Sequence, residues 1–399
     1  MKLPATDLQS PTLSRMALAV HPSPTMAAAA APCSHPDPVD LTVGEPFAAP
    51  PTQVREAAAK AALDDHARYG PAAGLPMLRE LVAQDLTRRD GVARDLNHVI
   101  ITPGGKAAIF DALRCVLNPG DQVVIFAPYW PTFLDQITWA GGVPRIVIHG
   151  EDHLPSMEDL ESALGPTTRA VILNQPSNPT GVLWNEARLE RLQTLAQKHD
   201  FWVIVDQVYG TLTLDGPERP FLAHLPEMRD RTILVESFSK RFSMTGYRLG
   251  AAVGPPVLIK AMAALASTCV THPSMLSQHA GIAALSLDGA WEREQLGALR
   301  AKRNQAFHAL RDIPGLRVKL PPGGLYLFPD VSAWMQTHGL ERDTQLTALL
   351  REAVGVKTLP GSAFGAPGHL RLSLGATSQA VETGIQRLRT FFTQDGFHV

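Results

Sequence analysis

Cysteine is scarce in this chain. Cys33, Cys115 and Cys269 are far apart, odd in number and form no CxxC pair, which argues against a disulfide framework and against a cysteine-based zinc site and suits a reducing cytoplasm. Charge of one sign is missing too. A formal net charge of −2 over 399 residues gives no global field to gather nucleic acid or an anionic membrane surface. No segment approaches the roughly 18 uninterrupted apolar residues of a membrane-spanning helix. The short apolar stretch from Met16 to Val20 is broken by His21, Pro22, Ser23 and Pro24 before a signal-peptide core could form. No solenoid repeat is visible. No candidate strand runs into a GxGxxG turn with an acidic ribose partner, so the mark of a nicotinamide dehydrogenase is absent. What remains is a soluble protein expected to act on small molecules, with neither nucleic acid nor membrane as partner.

Hydrophobic residues make up 45% and charged residues 19%, ordinary globular values, and the length suits about two domains. The first 45 residues are rich in Pro and Ala with little periodicity, which suggests an extended arm and a short helix that pack on the rest. The run Ala27 to Ala31 reads as a packed helix or disorder, not a ligand site. From about residue 52, helical stretches such as Lys106 to Leu117 and Glu186 to His199 alternate with short apolar runs. The candidate strands are Val99 to Thr102, Val123 to Phe126, Arg145 to Ile148, Ala170 to Leu173, Trp202 to Val205, Ile233 to Glu236 and Leu249 to Val253. Most are apolar throughout, the mark of strands covered on both faces. The expected fold is therefore α/β: an arm (1–45) on the small domain, a large domain (46–290) with a mainly parallel seven-stranded sheet between helices, and a smaller α+β domain (291–399). The last holds a long helix near Ala290 to Leu310, short elements at Leu316 to Leu320, Gly324 to Phe328 and His369 to Leu374, and a final helix from Ser378 to Thr393.

Ligands of an open α/β sheet collect at the carboxyl ends of its strands. Three of those ends carry chemistry: Asn174-Gln-Pro-Ser-Asn-Pro-Thr-Gly181, Asp206-Gln-Val-Tyr209 and Ser237-Phe-Ser-Lys240. An amine such as Lys240 at a strand end can form an imine with an aldehyde and afterwards move an α-proton. Asp206, directly after an apolar strand, is a costly buried charge unless paired, and a protonated pyridine nitrogen is a suitable partner. Taken singly, each has a plainer reading: a surface lysine, a capping aspartate, a turn at Asn178-Pro-Thr-Gly181.

In order and spacing these segments resemble the fold-type I pyridoxal-phosphate aminotransferases (class I/II), most closely the bacterial aspartate aminotransferase subgroup. Further matching pieces are Gly44-Glu-Pro46, Tyr69-Gly-Pro-Ala-Ala-Gly-Leu-Pro76, Thr102-Pro-Gly-Gly-Lys106, Pro128-Tyr-Trp-Pro131, Ser237 to Arg248 and Arg371-Leu-Ser373. The resemblance implies pyridoxal 5'-phosphate as cofactor and a ping-pong transfer of an amino group from an amino acid to a 2-oxo acid. It implies that Ser237, Ser239, Arg248 and the Gly105 amide hold the phosphate, with Tyr69 reaching it from the neighbouring subunit of a homodimer. Asn178 and Tyr209 are then expected at the cofactor's phenolic oxygen and Trp130 against its ring. Arg371 matches the arginine that grips the substrate α-carboxylate, and Gly44 a backbone position near the substrate. Lys106 is counted among the cofactor contacts and resembles the lysine that meets a distal carboxylate. Trp130 and Asn178 touch substrate as well, and Tyr209 joins Lys240 and Asp206 in the catalytic set.

Two departures stand out. Gln207 occupies a position where the subgroup usually has Glu, and His21 one where Lys or Arg commonly precedes Pro-Ser-x-Thr. A β-lyase on the same scaffold, or a non-catalytic relative, shares the fold and the cofactor motifs and stays open at this level.

Overall fold

The computed structural model describes residues 13–14, 17–18, 23–148, 150, 152–216, 218 and 220–394. The strands, in chain order, are β1 (Val39–Asp40), β2 (Val99–Thr102), β3 (Gln122–Phe126), β4 (Val143–Val147), β5 (Thr168–Asn174), β6 (Trp202–Asp206), β7 (Thr232–Ser237) and β8 (Gly250–Val253), followed by β9 (Tyr326–Leu327), β10 (Val356–Lys357), β11 (Leu359–Pro360) and β12 (Leu370–Ser373). Seven of them, ordered β2-β8-β7-β6-β5-β3-β4, form the central sheet. All neighbours run parallel except at β8, which is antiparallel to both β2 and β7. The apolar runs form strands because helices cover both faces: every residue of β8 is buried, and so is every residue of β2 although it is one edge of the sheet.

Register decides where the chemistry goes. Asn174 lies opposite Asp206, and Asp206 opposite Val235, two residues before Ser237. The ends of β5, β6 and β7 are therefore level and open on one rim of the sheet. The helix Gly105–Val116 starts at that rim and buries Ala108, Ile109, Ala112 and Leu113, a spacing that keeps one helical face on the sheet. Burying Ile109 and Leu113 stabilises that packing by about 1.5–3 kcal/mol each.

A second core forms around the helices Ala290–Leu310, Asp343–Val354 and Ser378–Thr393. It contains the antiparallel sheet β11-β12-β9 and the parallel pair β1-β10. Thr377 caps the last helix by accepting from the Ala380 amide at 3.0 Å, and the buried Val381, Ile385, Leu388 and Phe392 form its inner stripe. The N-terminal segment runs along this core. Cys33 donates to the Arg351 carbonyl at 3.2 Å, and β1 lies beside β10.

The structure departs from the expected elements at three places. Leu316 to Leu320 makes only an isolated bridge, Arg317 to Asp330, because Pro321 and Pro322 follow and have no N–H to extend a ladder. β4 starts two residues early, at Val143, and leaves Ile148 exposed outside it; at this edge of the sheet only Val147 of the strand is buried. The alanine run does form a helix, Pro24–Ala30, capped by Ser23. That helix buries none of its residues, and it borders the functional cleft, contrary to a purely packing role.

Candidate active site

A cleft of about 510 Å³ opens at the rim where β5, β6 and β7 end, between the central sheet and the second core. Twelve of the thirteen residues expected at the site line it: Gly44, Gly105, Lys106, Trp130, Asn178, Asp206, Tyr209, Ser237, Ser239, Lys240, Arg248 and Arg371. Tyr69 does not. It is 89% exposed, with its ring edge-on to His272 at 5.9 Å, in a separate depression that also contains His66 and Met275.

Lys240 follows β7 in the one-turn helix Phe238–Arg241, which Ser237 caps by accepting from the Ser239 amide at 3.2 Å. Its Nζ donates to the Gly44 carbonyl. Burial lowers its pKa to about 8; Arg371 and Arg248 push the same way, and Glu45 opposes them. A larger share of the amine is thus neutral near physiological pH than for a free lysine.

Asp206 closes β6, and its carboxylate accepts from the Val208 amide at 3.3 Å. Burial raises its pKa to about 7, the Val208 contact lowers it somewhat and Glu236 raises it further. No basic side chain forms an ion pair with it among the described residues. A cation brought against it would lower that pKa.

Beside these two lies a cradle of donors. The helix Gly105–Val116 starts from Gly104, whose φ of 88° lies in the left-handed region. A Cβ there would sit 2.8 Å from Arg248 Nη2, so glycine is what lets the guanidinium close over the helix start. Arg248 itself holds a left-handed φ of 50° and donates to the Thr245 carbonyl at 2.8 Å; such strain in a non-glycine residue is often stored at functional sites. Free helix N–H groups, the hydroxyls of Ser237 and Ser239 and this guanidinium together suit a phosphate dianion.

On the opposite wall, Arg371 extends from β12. Its Nη2 donates to the Thr42 carbonyl at 2.6 Å and its Nη1 to Asn178 Oδ1 at 3.3 Å. Its buried Nε has no hydrogen-bond partner among the described residues. The guanidinium carbon lies 4.2 Å over the Tyr326 ring and 5.1 Å over Phe364. Lys106 Nζ lies 4.9 Å from the Trp130 ring centre, and its pKa is lowered by burial and by Arg248, with Asp135 opposing.

A buried carboxylate without a cation, a buried amine with a lowered pKa, a donor cradle and an arginine with an unspent N–H are chemically suited to a phosphorylated pyridine aldehyde and a carboxylate substrate. Comparison with known proteins leads to the same place. The family model described as "Aminotransferase class I and II" matches residues 36–388. The chain belongs to that family. It is similar to the aspartate aminotransferase of Geobacillus stearothermophilus, 35% identical over 359 residues, which are 89% of this chain and 91% of that protein. It is also 35% identical to the aspartate/prephenate aminotransferase of Thermus thermophilus over 88% of this chain and 90% of that one. The solved structure of an aspartate aminotransferase from Thermus thermophilus with maleate superposes with a TM-score of 0.88 at 31% identity, covering 95% of this chain and 99% of that one. The protein is a pyridoxal-phosphate-dependent aminotransferase of the fold-type I α/β class.

Sequence reasoning named no role for several residues lining this aminotransferase's cleft: Tyr326, Asn174, Thr42, the helix cap Ser23 and the helix residues Thr25 and Met26. Tyr326 carries no local signal beyond following Gly323 and Gly324, since only the packing of β9 against β12 brings it to the cleft. Of the two departures, Gln207 is buried and donates its amide to Glu236, whose carboxylate also accepts from Arg89 Nη1 at 3.2 Å. His21 lies outside the described residues. Among the described residues, no helix is long and apolar enough to cross a membrane.

Proposed function

We propose that this aminotransferase moves the amino group of an acidic L-amino acid, aspartate or glutamate, to a 2-oxo acid by a ping-pong cycle in the cytoplasm. The observation that carries the substrate class is the presence of two cationic heads besides Arg248 of the phosphate cradle, Arg371 and Lys106, in one cleft with Lys240. A dicarboxylic substrate has a counterpart for each. The relatives named as aspartate aminotransferases, one of them solved with the dicarboxylate maleate, favour the same class.

Pyridoxal phosphate, when bound, supplies a carbon that condenses with amines and a protonated ring that draws electron density from the substrate. In our reading Lys240 would hold the cofactor and, once free and neutral, would take the proton from the substrate α-carbon and deliver it to the cofactor carbon that carries the amine. Asp206 would keep the proton on the ring nitrogen. Ser237, Ser239, Arg248 and the Gly105 amide would hold the phosphate. Asn178 and Tyr209 would bond the phenolic oxygen, and Trp130 would cover the ring. Arg371 takes the α-carboxylate in a two-pronged grip near the Gly44 carbonyl, while Lys106 meets the distal carboxylate.

We further infer a homodimer whose sites each receive Tyr69 from the second copy, and a chain divided into an arm (1–45), a cofactor domain (46–290) and a small domain (291–399). An exposed aromatic outside its own cleft is consistent with such a shared site.

The reading is tested by screening purified holoenzyme against L-amino acid donors, each with and without a 2-oxo acid acceptor. Multiple turnover of aspartate or glutamate only when acceptor is present is expected. Turnover without acceptor would mean elimination chemistry, and a preference for apolar donors would remove the acidic-substrate assignment.

A further inference from the structure

Tyr326 has no role in the scheme above, yet it touches three residues that do. It is 2% exposed, in β9 of the small antiparallel sheet. Its hydroxyl lies 2.8 Å from the Tyr209 hydroxyl, with the two rings edge to face at 5.9 Å. The guanidinium of Arg371 lies over its ring at 4.2 Å. A Cβ on Gly44 would fall 2.5 Å from its oxygen, so Gly44, whose carbonyl accepts from Lys240, has no side chain partly because this phenol occupies the space.

A phenol has one proton to donate and lone pairs to accept with. If Tyr209 gives its proton to the cofactor's ring oxygen, the bond between the two tyrosines must run from Tyr326 to Tyr209. That direction leaves the Tyr209 proton free, fixes where it points and polarises it, because hydrogen bonds in series strengthen one another. Both hydroxyls belong to buried residues, which limits water as a substitute partner. Tyr326 pairs with Ser373 across β9 and β12, two residues from Arg371, so the ring and the guanidinium on it belong to one rigid unit.

Building on the proposed function, we propose that Tyr326 is a positioning residue for this reaction: its hydroxyl donates to Tyr209 and aims the Tyr209 proton at the cofactor, while its ring seats Arg371. One side chain thereby couples the grip on the substrate carboxylate to the group that faces the cofactor's ring oxygen.

The test uses holoenzyme and the pH titration of the bound cofactor's absorbance, without substrate. A donor to the ring oxygen favours its anionic form, so weakening that donor moves the titration midpoint up. Tyr326→Phe, which keeps the ring, is expected to raise the midpoint by roughly half to one pH unit, the scale of one neutral hydrogen bond. It should lower kcat several-fold and leave KM for amino donors within about twofold. In a Tyr209→Phe background the same substitution should add no further shift, because the two hydroxyls act in series. Tyr326→Leu, which removes the ring under Arg371, should instead raise KM for every donor. A fluorinated tyrosine at 326, a more acidic donor with the same shape, should lower the midpoint and keeps the test open if Tyr326→Phe folds poorly. An unchanged midpoint in Tyr326→Phe, or an equal shift with and without Tyr209, overturns the proposal. Absence of any cofactor band in the wild-type protein would overturn the cofactor scheme itself, a separate failure.

Discussion

Lys240 Nζ and the carbonyl oxygen of Gly44 are hydrogen-bonded across 196 residues of chain. The contact joins the end of β7 to the loop after β1 and sets the Lys240 amine against the edge of the second core. Because that position is buried, the amine's pKa falls from 10.5 to about 8.

The first prediction follows from that value. In the proposed scheme, capture of pyridoxal phosphate by cofactor-free protein needs neutral Lys240, so its rate should rise about tenfold per pH unit below pH 8 and level off above. Stopped-flow absorbance between pH 6 and 10 measures this. A lowered lysine pKa means that the unfolded chain binds the extra proton between pH 8 and 10.5, so this group's contribution to stability grows as pH rises through that window. Lys240→Ala should abolish both capture and turnover. An inflection near 10.5 would show that the amine is solvated.

Asp206 has the opposite sign. Its folded pKa, raised from 3.8 to about 7, means the folded chain binds the extra proton, so its contribution to cofactor-free stability is present below pH 4 and is lost as pH rises towards 7. Asp206→Asn should therefore stabilise the cofactor-free protein at pH 8, by up to about 4 kcal/mol, while lowering kcat at least tenfold in the holoenzyme. Thermal melts and steady-state rates on one preparation test both. Unchanged kcat would remove Asp206 from the mechanism.

Arg371→Lys should raise KM for every amino donor by about 10- to 100-fold, since a point charge replaces neither the fork nor the flat contact with Tyr326. A defect restricted to acidic donors in a KM survey would move Arg371 to the side-chain end of the substrate.

Lys106→Ala is expected to weaken aspartate and glutamate by about tenfold more than apolar donors. The comparison of kcat/KM between acidic and apolar donors is the measurement, and an equal loss for all of them would assign Lys106 to the phosphate or to packing against Trp130.

Tyr69 tests assembly. Mixing inactive Lys240→Ala subunits with Tyr69→Phe subunits should produce hybrids with one doubly impaired and one unmutated site, and activity above the Tyr69→Phe parent per site. A fully active monomer in sedimentation would exclude the shared site.

Much of this protein could be read along the chain. The apolar runs at 99–102, 202–205 and 233–236 became β2, β6 and β7 with ends shifted by at most one residue, because a strand covered on both faces has no choice but to be apolar throughout. The helices at 186–199 and 378–393 carry their own stop and start signals: Asn185 and Thr377 cap them, and Asp200 turns left-handed after the first. The Asp206 and Lys240 motifs were legible because they sit beside their strands in sequence. The chain alone could not show that the ends of β5, β6 and β7 are level, which depends on inter-strand register. Nor could it show that an alanine-rich arm borders the cleft, since its helix buries no residue and leaves no periodic trace. The meeting of Tyr326, Tyr209, Arg371 and Gly44 was invisible for a related reason. Those residues come from four separate segments, and only the packing of the second core against the sheet brings them together at distances that decide their chemistry.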